Sequence, residues 1–370
     1  MDRLNLRELI FPDHSLIVWK TKSLVNKRLA VYFVVMNRFL AFLEKRVEHH
    51  LTKRKRIKAF ESERKHTILS EIWSWVDALI FAIFWVIIIN QYLFQLFVIP
   101  SPSMVGTLDV GDRVIVNKDA YGVELYPAGK KVFTDNRRVQ RDEIITFYNP
   151  EYESKGPLFD ILSQVVYMGT LTLVNIDKND DGTPAERLYV KRAVGMGGDE
   201  INFQNGNVVI KASGTDEYLK EEDFRDALSL AEGPHRSVDP VYYDGLKAAA
   251  ALTSYDENGY ASYAPQHLIR DYSELRGSGY DYIFDRYEFE RSRTRTAYSF
   301  NPSDMNKRSD AAVYDNGIYV PEGKVLPLGD NRDNSNDGRY FGPVDETRIN
   351  GRVIGRFWPI TRISSLLDNH

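Results

Sequence analysis

The chain has 370 residues, 43% of them apolar and 27% charged, with a net charge of −4. That length carries two or three packed units, and the near-balanced charge argues against both a disordered chain and a dedicated nucleic-acid binder. The absence of cysteine excludes a disulfide framework, a thiol nucleophile, an iron–sulfur cluster and a cysteine zinc site, and a mean hydropathy of −0.38 excludes a polytopic transporter while allowing one anchor.

The charge is unevenly spread. Residues 1–70 carry 16 Lys and Arg against 7 Asp and Glu, a balance of +9, which leaves −13 for the rest. A basic head and an acidic body imply different surroundings. Within the head, Leu29–Leu43 is apolar but short and holds Asn37 and Arg38 in its middle. An interfacial helix fits it better than a full span. Lys53-Arg54-Lys55-Arg56-Ile57-Lys58, with Arg64 and Lys65, then precedes the most apolar stretch of the chain. From Ala78 to Ile99 there is no charge, and only Asn90, Gln91 and Gln95 interrupt the run. A bilayer core needs roughly 20 such residues as a helix. Trp73, Trp75 and Trp85 add rings suited to an interface. The reading is a head at 1–71 and an anchor at 72–99. The positive-inside rule keeps the basic run cytoplasmic and puts the body on the other side.

The body reads as mainly β. Arg113–Val116, Glu143–Phe147, Leu188–Val194 and Val208–Ile210 are short, β-branched and bounded by Gly, Asp or Asn. Leu158–Ile176 is unusually apolar for a connection, and its expected place is on the bilayer surface. Residues 202–320 hold 13 of the 22 tyrosines, an aromatic load that suits an ordered lobe and not a linker. The domain reading is a β core from 100–201 and 316–370 with a Tyr-rich lobe, 202–315, inserted in it.

Several chemistries lack support. There is no H-E-x-x-H and no G-x-S-x-G, and none of the seven histidines stands beside a nucleophile motif. Asp177–Gly182 begins like a calcium loop, but Leu188 stands where the closing Glu belongs, so it reads as a turn. Three segments are left with reactive potential. Ile99-Pro100-Ser101-Pro102-Ser103-Met104 opens the body at the membrane surface. In the strand Tyr189–Val194, Lys191 shares a face with Tyr189 and Ala193, although a lysine whose stem covers apolar surface fits that pattern too. Leu328–Gly342 is dense in donors and acceptors, and an acidic turn is its plain reading.

Together these segments resemble the type I signal peptidases, membrane-bound Ser–Lys proteases. The blocks are I-P-S-P-S-M at 99–104, G-D-R-V-I-V-N-K at 111–118, Y-V-K-R-A-V-G-M-G-G-D at 189–199 and G-D-N-R-D-N-S-N-D-G-R at 329–339. They stand in the family's order after an anchor in the expected place, and the last block is specific by itself. The resemblance implies a two-lobed β catalytic domain. It implies Ser103 as nucleophile and Lys191 as general base, with Ser335 orienting the lysine. The Ser101 hydroxyl and the Ser103 backbone N–H would form the oxyanion hole. Asp337 and Arg339 would be structural at the site, alongside Gly329 and Asp330 of the same block. It implies no metal and no cofactor. The substrates would be signal peptides of exported preproteins, cut after small residues at −1 and −3. The implied location is the bacterial inner membrane, with the catalytic domain on its outer side and no nucleic-acid partner. Gly106 and Gly197 stand where many members have proline, and Pro102 where many have glycine, from which altered loop stiffness is expected. Two other readings remain: a Ser–Lys processing protease with a narrow client, and a catalytically silent membrane-anchored scaffold.

Overall fold

A computed structural model describes residue 53 and residues 68–367, except 128, 133, 135–137, 153, 171–173, 179–181, 184, 231, 232, 235, 237 and 281. The expectations for Leu29–Leu43 and for most of the basic run lie outside the described residues.

Helix α1 runs Ile68–Tyr92, and its stretch Glu71–Tyr92 is long and apolar enough to cross a membrane. At 1.5 Å per residue those 22 residues extend about 33 Å, against about 30 Å of hydrocarbon. Ile72, Leu79, Ile80, Phe81 and Phe84 are all exposed, which a soluble helix would avoid. The chain divides into two compact units after Ala82, within this helix.

The second unit is built on antiparallel strands. They are β1 (Phe94–Val98), β2 (Arg113–Asn117), β3 (Val123–Glu124), β4 (Lys131–Val132), β5 (Ile144–Tyr148), β6 (Leu188–Gly195), β7 (Glu200–Gln204), β8 (Asn207–Lys211), β9 (Leu219–Lys220), β10 (Ile318–Tyr319), β11 (Lys324–Leu328), β12 (Val344–Asp345), β13 (Ile349–Trp358) and β14 (Ser364–Ser365). The four expected strands are present as β2, β5, β6 and β8. The larger sheet has the order β1-β2-β13-β5-β6-β11-β12, with β14 on β13; a smaller one runs β10-β7-β8-β9.

Both faces of the larger sheet are covered. Val114, Val116, Ile144, Val190 and Val353 pack on one face with Ile99, Met104 and Leu108. Ile145, Phe147, Ala193 and Ile349 pack on the other with Tyr121 and Val325. This is why β5 reads as a continuous apolar run without alternation.

Helix α2 (Pro157–Gly169) stands between β5 and β6. Beyond β9 the chain turns helical: α3 (Glu221–Ala227), α4 (Pro240–Glu257), α5 (Gln266–Ser278), α6 (Arg286–Phe300) and α7 (Met305–Asp315). The tyrosine load did not reveal these helices, but their ends carry ordinary signals. Pro240 opens α4, and Asp285 and Asp304 accept backbone N–H bonds at the starts of α6 and α7. Tyr242, Tyr243, Leu246, Leu275 and Ile283 form their own core. Phe224 of α3 and Tyr287 of α6 join Val194, Phe203, Leu326 and Leu328 in a further cluster, so these helices pack on strands of both sheets.

Charge is buried between these layers. Arg192 of β6 is fully enclosed. It donates to Asp330 through Nε at 2.8 Å and Nη2 at 2.6 Å, and to Asp142 Oδ2 at 3.0 Å. Asp142, at φ 73°, also pairs with Arg225 of α3. Arg332 pairs with Glu221 of α3. Such pairs gain little net stability over an apolar core, but a half-removed pair is costly. Arg192→Ala strands the buried carboxylate of Asp330, while Asp142 keeps Arg225, and should lower unfolding stability by about 3–5 kcal/mol. Arg192→Lys should not restore it, because the forked geometry is lost. Denaturant titration of the detergent-solubilised protein measures both.

Candidate active site

The turn after β1 starts the site. Ser101 is extended, and Pro102–Met104 forms a single 3-10 turn. Met104 and Leu108 bury their side chains in the core, which pins the turn from below. Val105 N–H bonds Pro102 O, and Leu108 N–H bonds Met104 O. Gly106 sits at φ +104°. Proline, locked near −65°, could not occupy that position, so this loop turns differently from one with proline there.

The second component arrives on β6. Its central place between β5 and β11 buries Lys191, opposite Ile145. Lys191 Nζ donates to Ser103 Oγ at 2.6 Å. Its stem runs on the face expected from strand alternation, and Nζ lies 5.4 Å from the Tyr189 ring centroid. Among the described residues no carboxylate is within ion-pair distance of Lys191. Burial pushes its amine down from the ordinary 10.5 to about 8, with Asp337, Glu186 and Asp330 opposing and Arg339 assisting. Holding the charged form there costs roughly 3 kcal/mol relative to water.

The third component is the loop 329–337 after β11. Asn331 clamps the serine turn: its N–H bonds Ser103 O at 3.0 Å, and its Nδ2 bonds Pro102 O at 3.1 Å. Gly329 is an obligatory close approach, because a Cβ there would overlap Ser335 Oγ and Ser103 O. Asp337 Oδ2 accepts from Gly329 N at 2.9 Å, and its Oδ1 accepts from Arg339 Nε at 2.9 Å. Burial opposes the Asp337 charge, yet Arg339 and these bonds hold its carboxyl below the usual range. Asp330, enclosed likewise, is held low by Arg192, with Thr107 donating to it.

The sequence-predicted residues therefore meet in one place. Ser101 Oγ lies 3.3 Å from Ser103 Oγ. Ser335 is beside them but makes no bond to Lys191; its Oγ is buried with no hydrogen-bond partner. Sequence reasoning missed Asn331, Thr107, Arg192, Asp142 and Arg225. Asn331 lies inside a block already singled out, so its neighbourhood was signalled. Arg225 and Asp142 lie 83 positions apart, and no local pattern links them.

The family model for signal peptidase, peptidase S26, matches residues 72–358. The chain belongs to this family. It is a serine endopeptidase. Signal peptidase I of Haemophilus influenzae is 26% identical over 79% of this chain and 71% of its own length. Signal peptidase I of Pseudomonas fluorescens is 25% identical over 77% and 72%. Signal peptidase IB of Staphylococcus aureus strain COL is 23% identical over 79% and 92%. The family match runs through the stretch after β9, which forms ion pairs with the loop 329–337 and with Arg339 just beyond it. Arg339 lies 3.7 Å from Asp285 at the start of α6, and Arg236 is 2.8 Å from Asp333.

The burial of Lys191 has a direct readout. In protein labelled with carbon-13 at lysine Cε, Lys191 should titrate near 8, apart from exposed lysines near 10.4. Gly329→Ala should cost peptidase activity on the order of tenfold or more, since a displacement of about 1 Å at a catalytic group is worth up to 10²-fold. Near-ultraviolet circular dichroism would show whether the fold survives.

Proposed function

We propose that this peptidase removes signal peptides from exported preproteins, with Ser103 as nucleophile and Lys191 as general base. The observation that carries the reading is the 2.6 Å contact between Lys191 Nζ and Ser103 Oγ, made by a lysine that burial holds near 8. A neutral amine at that distance accepts the serine proton as Oγ attacks the scissile carbonyl. The ammonium so formed returns the proton to the departing amine. Water then enters, the same amine takes its proton, and the acyl-enzyme is hydrolysed.

Ser101 supports an oxyanion role by its position, one hydroxyl beside the nucleophile. With the Ser103 N–H it would receive the charge on the carbonyl oxygen. Ser335 has a buried hydroxyl in want of a partner, and the Lys191 ammonium formed in the first step would satisfy it. Its orienting role is thereby exercised during turnover. Asp337 and Arg339 hold the loop that carries Ser335. The preference for small residues at −1 and −3 follows from the family resemblance.

The anchor favours a substrate that is itself in the membrane. A signal peptide still spans the bilayer when its cleavage site reaches the surface, so tethering both partners raises their effective concentration. The basic residues before α1 support a cytoplasmic head and a catalytic unit on the outer side of the inner membrane. The inserted stretch 202–315 would serve as a lobe bracing loop 329–337, to which it is ion-paired through Glu221 and Arg236, with Asp285 beside Arg339 just beyond the loop.

Cleavage of a preprotein in detergent tests the assignment. Ser103→Ala and Lys191→Ala should each abolish turnover. Ser101→Ala should lower kcat by 10²–10³-fold, the usual cost of one oxyanion donor, and Ser335→Ala should lower it less than Lys191→Ala. Residual activity in Lys191→Ala would mean another base. Because the neutral lysine is the active form, kcat/KM should rise about tenfold per pH unit below 8 and level off above it.

A further inference from the structure

Helix α2 belongs to the apolar connection before the lysine strand, and the chemistry at Ser103 makes no use of it. Its two faces are reversed for a helix in water. Asp160 and Ser163 are 2% and 3% exposed, whereas Leu158, Leu162, Ile161 and Val165 are 85%, 54%, 39% and 40% exposed. The exposed four fall at i, i+3, i+4 and i+7, one continuous apolar stripe.

The reversal is locked. Arg187, just before β6, pairs with Asp160 and donates through Nη1 to Ser163 Oγ at 2.9 Å. Ser154 Oγ donates to Asp160 Oδ2 at 2.7 Å. Arg187 is held in turn by Asp177, 3.2 Å away, which also accepts from Tyr152 OH at 2.7 Å. Rolling α2 to bury its leucines would strip this network of its partners. The polar side is therefore the inner side, and the apolar stripe has to be covered from outside.

The site of covering is indicated by one further bond. Gln164 Nε2 of α2 donates to Gln91 Oε1 at 3.0 Å. Gln91 is the penultimate residue of the stretch Glu71–Tyr92 that is long and apolar enough to cross a membrane. This bond ties α2 to the end of the span, at the level where a chain leaves the hydrocarbon.

We propose that α2 is an interfacial helix whose Leu158, Ile161, Leu162 and Val165 stripe is seated in the bilayer surface. It gives the catalytic unit a second attachment beside the span. A single helix leaves the unit free to swivel, and α2 restrains it. The inference rests on the reading that α1 crosses the membrane, and the experiment separates the two.

The chain has no cysteine, so one introduced cysteine takes one label. Leu162→Cys, Leu158→Cys, Ile80→Cys and His267→Cys are each labelled with an environment-sensitive fluorophore. The full chain is then reconstituted in phosphatidylethanolamine and phosphatidylglycerol vesicles, with preprotein cleavage confirming the fold. Lipids carrying a nitroxide near the headgroup end or near the tail end of the acyl chain are the quenchers, with iodide as the aqueous one.

An interfacial helix lies about 5–10 Å deep, so the probes at 162 and 158 should lose on the order of half their emission to the shallow nitroxide and less to the deep one. The probe at Ile80 should show the reverse order, and that at His267 should respond to iodide alone. Quenching at 162 and 158 by iodide but not by lipid overturns the proposal. Protection from both quenchers also overturns it, since a protein would then cover the stripe. Loss of lipid quenching at Ile80 as well defeats the anchor reading itself, whereas its retention confines the failure to α2.

Discussion

An amine serves as a base for serine only while it is kept from water and from acids. Water would protonate it, and a carboxylate at contact distance would hold the proton on. Lys191, the proposed base, meets both conditions on a central strand, covered on its own face by the packing around Tyr189 and Ala193. Lys118 shows the contrast. It is equally buried but lies 3.7 Å from Glu124, whose charge opposes the downward push of burial on its amine. One buried lysine has a carboxylate beside it, and the other has none within ion-pair distance among the described residues.

Isolation has to be organised, because the surroundings are rich in charge. Arg192, Arg332 and Arg339 are all buried within the same layers, and each has its own carboxylate. Guanidinium groups satisfy those acids by forked bonds, so Asp330, Glu221 and Asp337 do not need the lysine. Arg339 even adds a modest repulsion that favours the neutral amine. The ion pairs contribute little net stability by themselves. Their value lies in arrangement: they hold loop 329–337 against the serine turn and keep its acids occupied.

Much of this was legible along the chain, and the limits were physical. The span was visible because uncharged length is a local property, but the reading of 72–99 ran too far: the helix ends at Tyr92, and Phe94–Val98 is β1, paired with β2. Ser103 and Lys191 could be singled out because a Pro-flanked serine turn and a lysine in a β-branched run are local too. Their pairing across 88 positions was supplied by resemblance. The helices α4–α7 were obscured because their tyrosines follow no single face: Tyr242 and Tyr243 fill a core of their own, Tyr287 joins another cluster and Tyr272 is exposed. Helix α2 was seen as apolar but not as helical, since its leucines point outward and its acid inward, the reverse of what a soluble pattern leads one to read. Asp142 and Arg225 had no signal, as a buried pair between distant segments leaves no trace in either one.

The strand order has a bearing on how the molecule is made. In the larger sheet, β13 lies between β2 and β5, yet β2 ends at Asn117 and β13 begins only at Ile349. The gap between the two cannot be filled while the ribosome is still producing the helices after β9. A growing chain thus carries Ser103 and Lys191 well before the sheet that brings them together can close. Non-local closure of this kind is slow and comes late. The frame around the site is therefore completed only once β13 has been delivered and has paired with both β2 and β5.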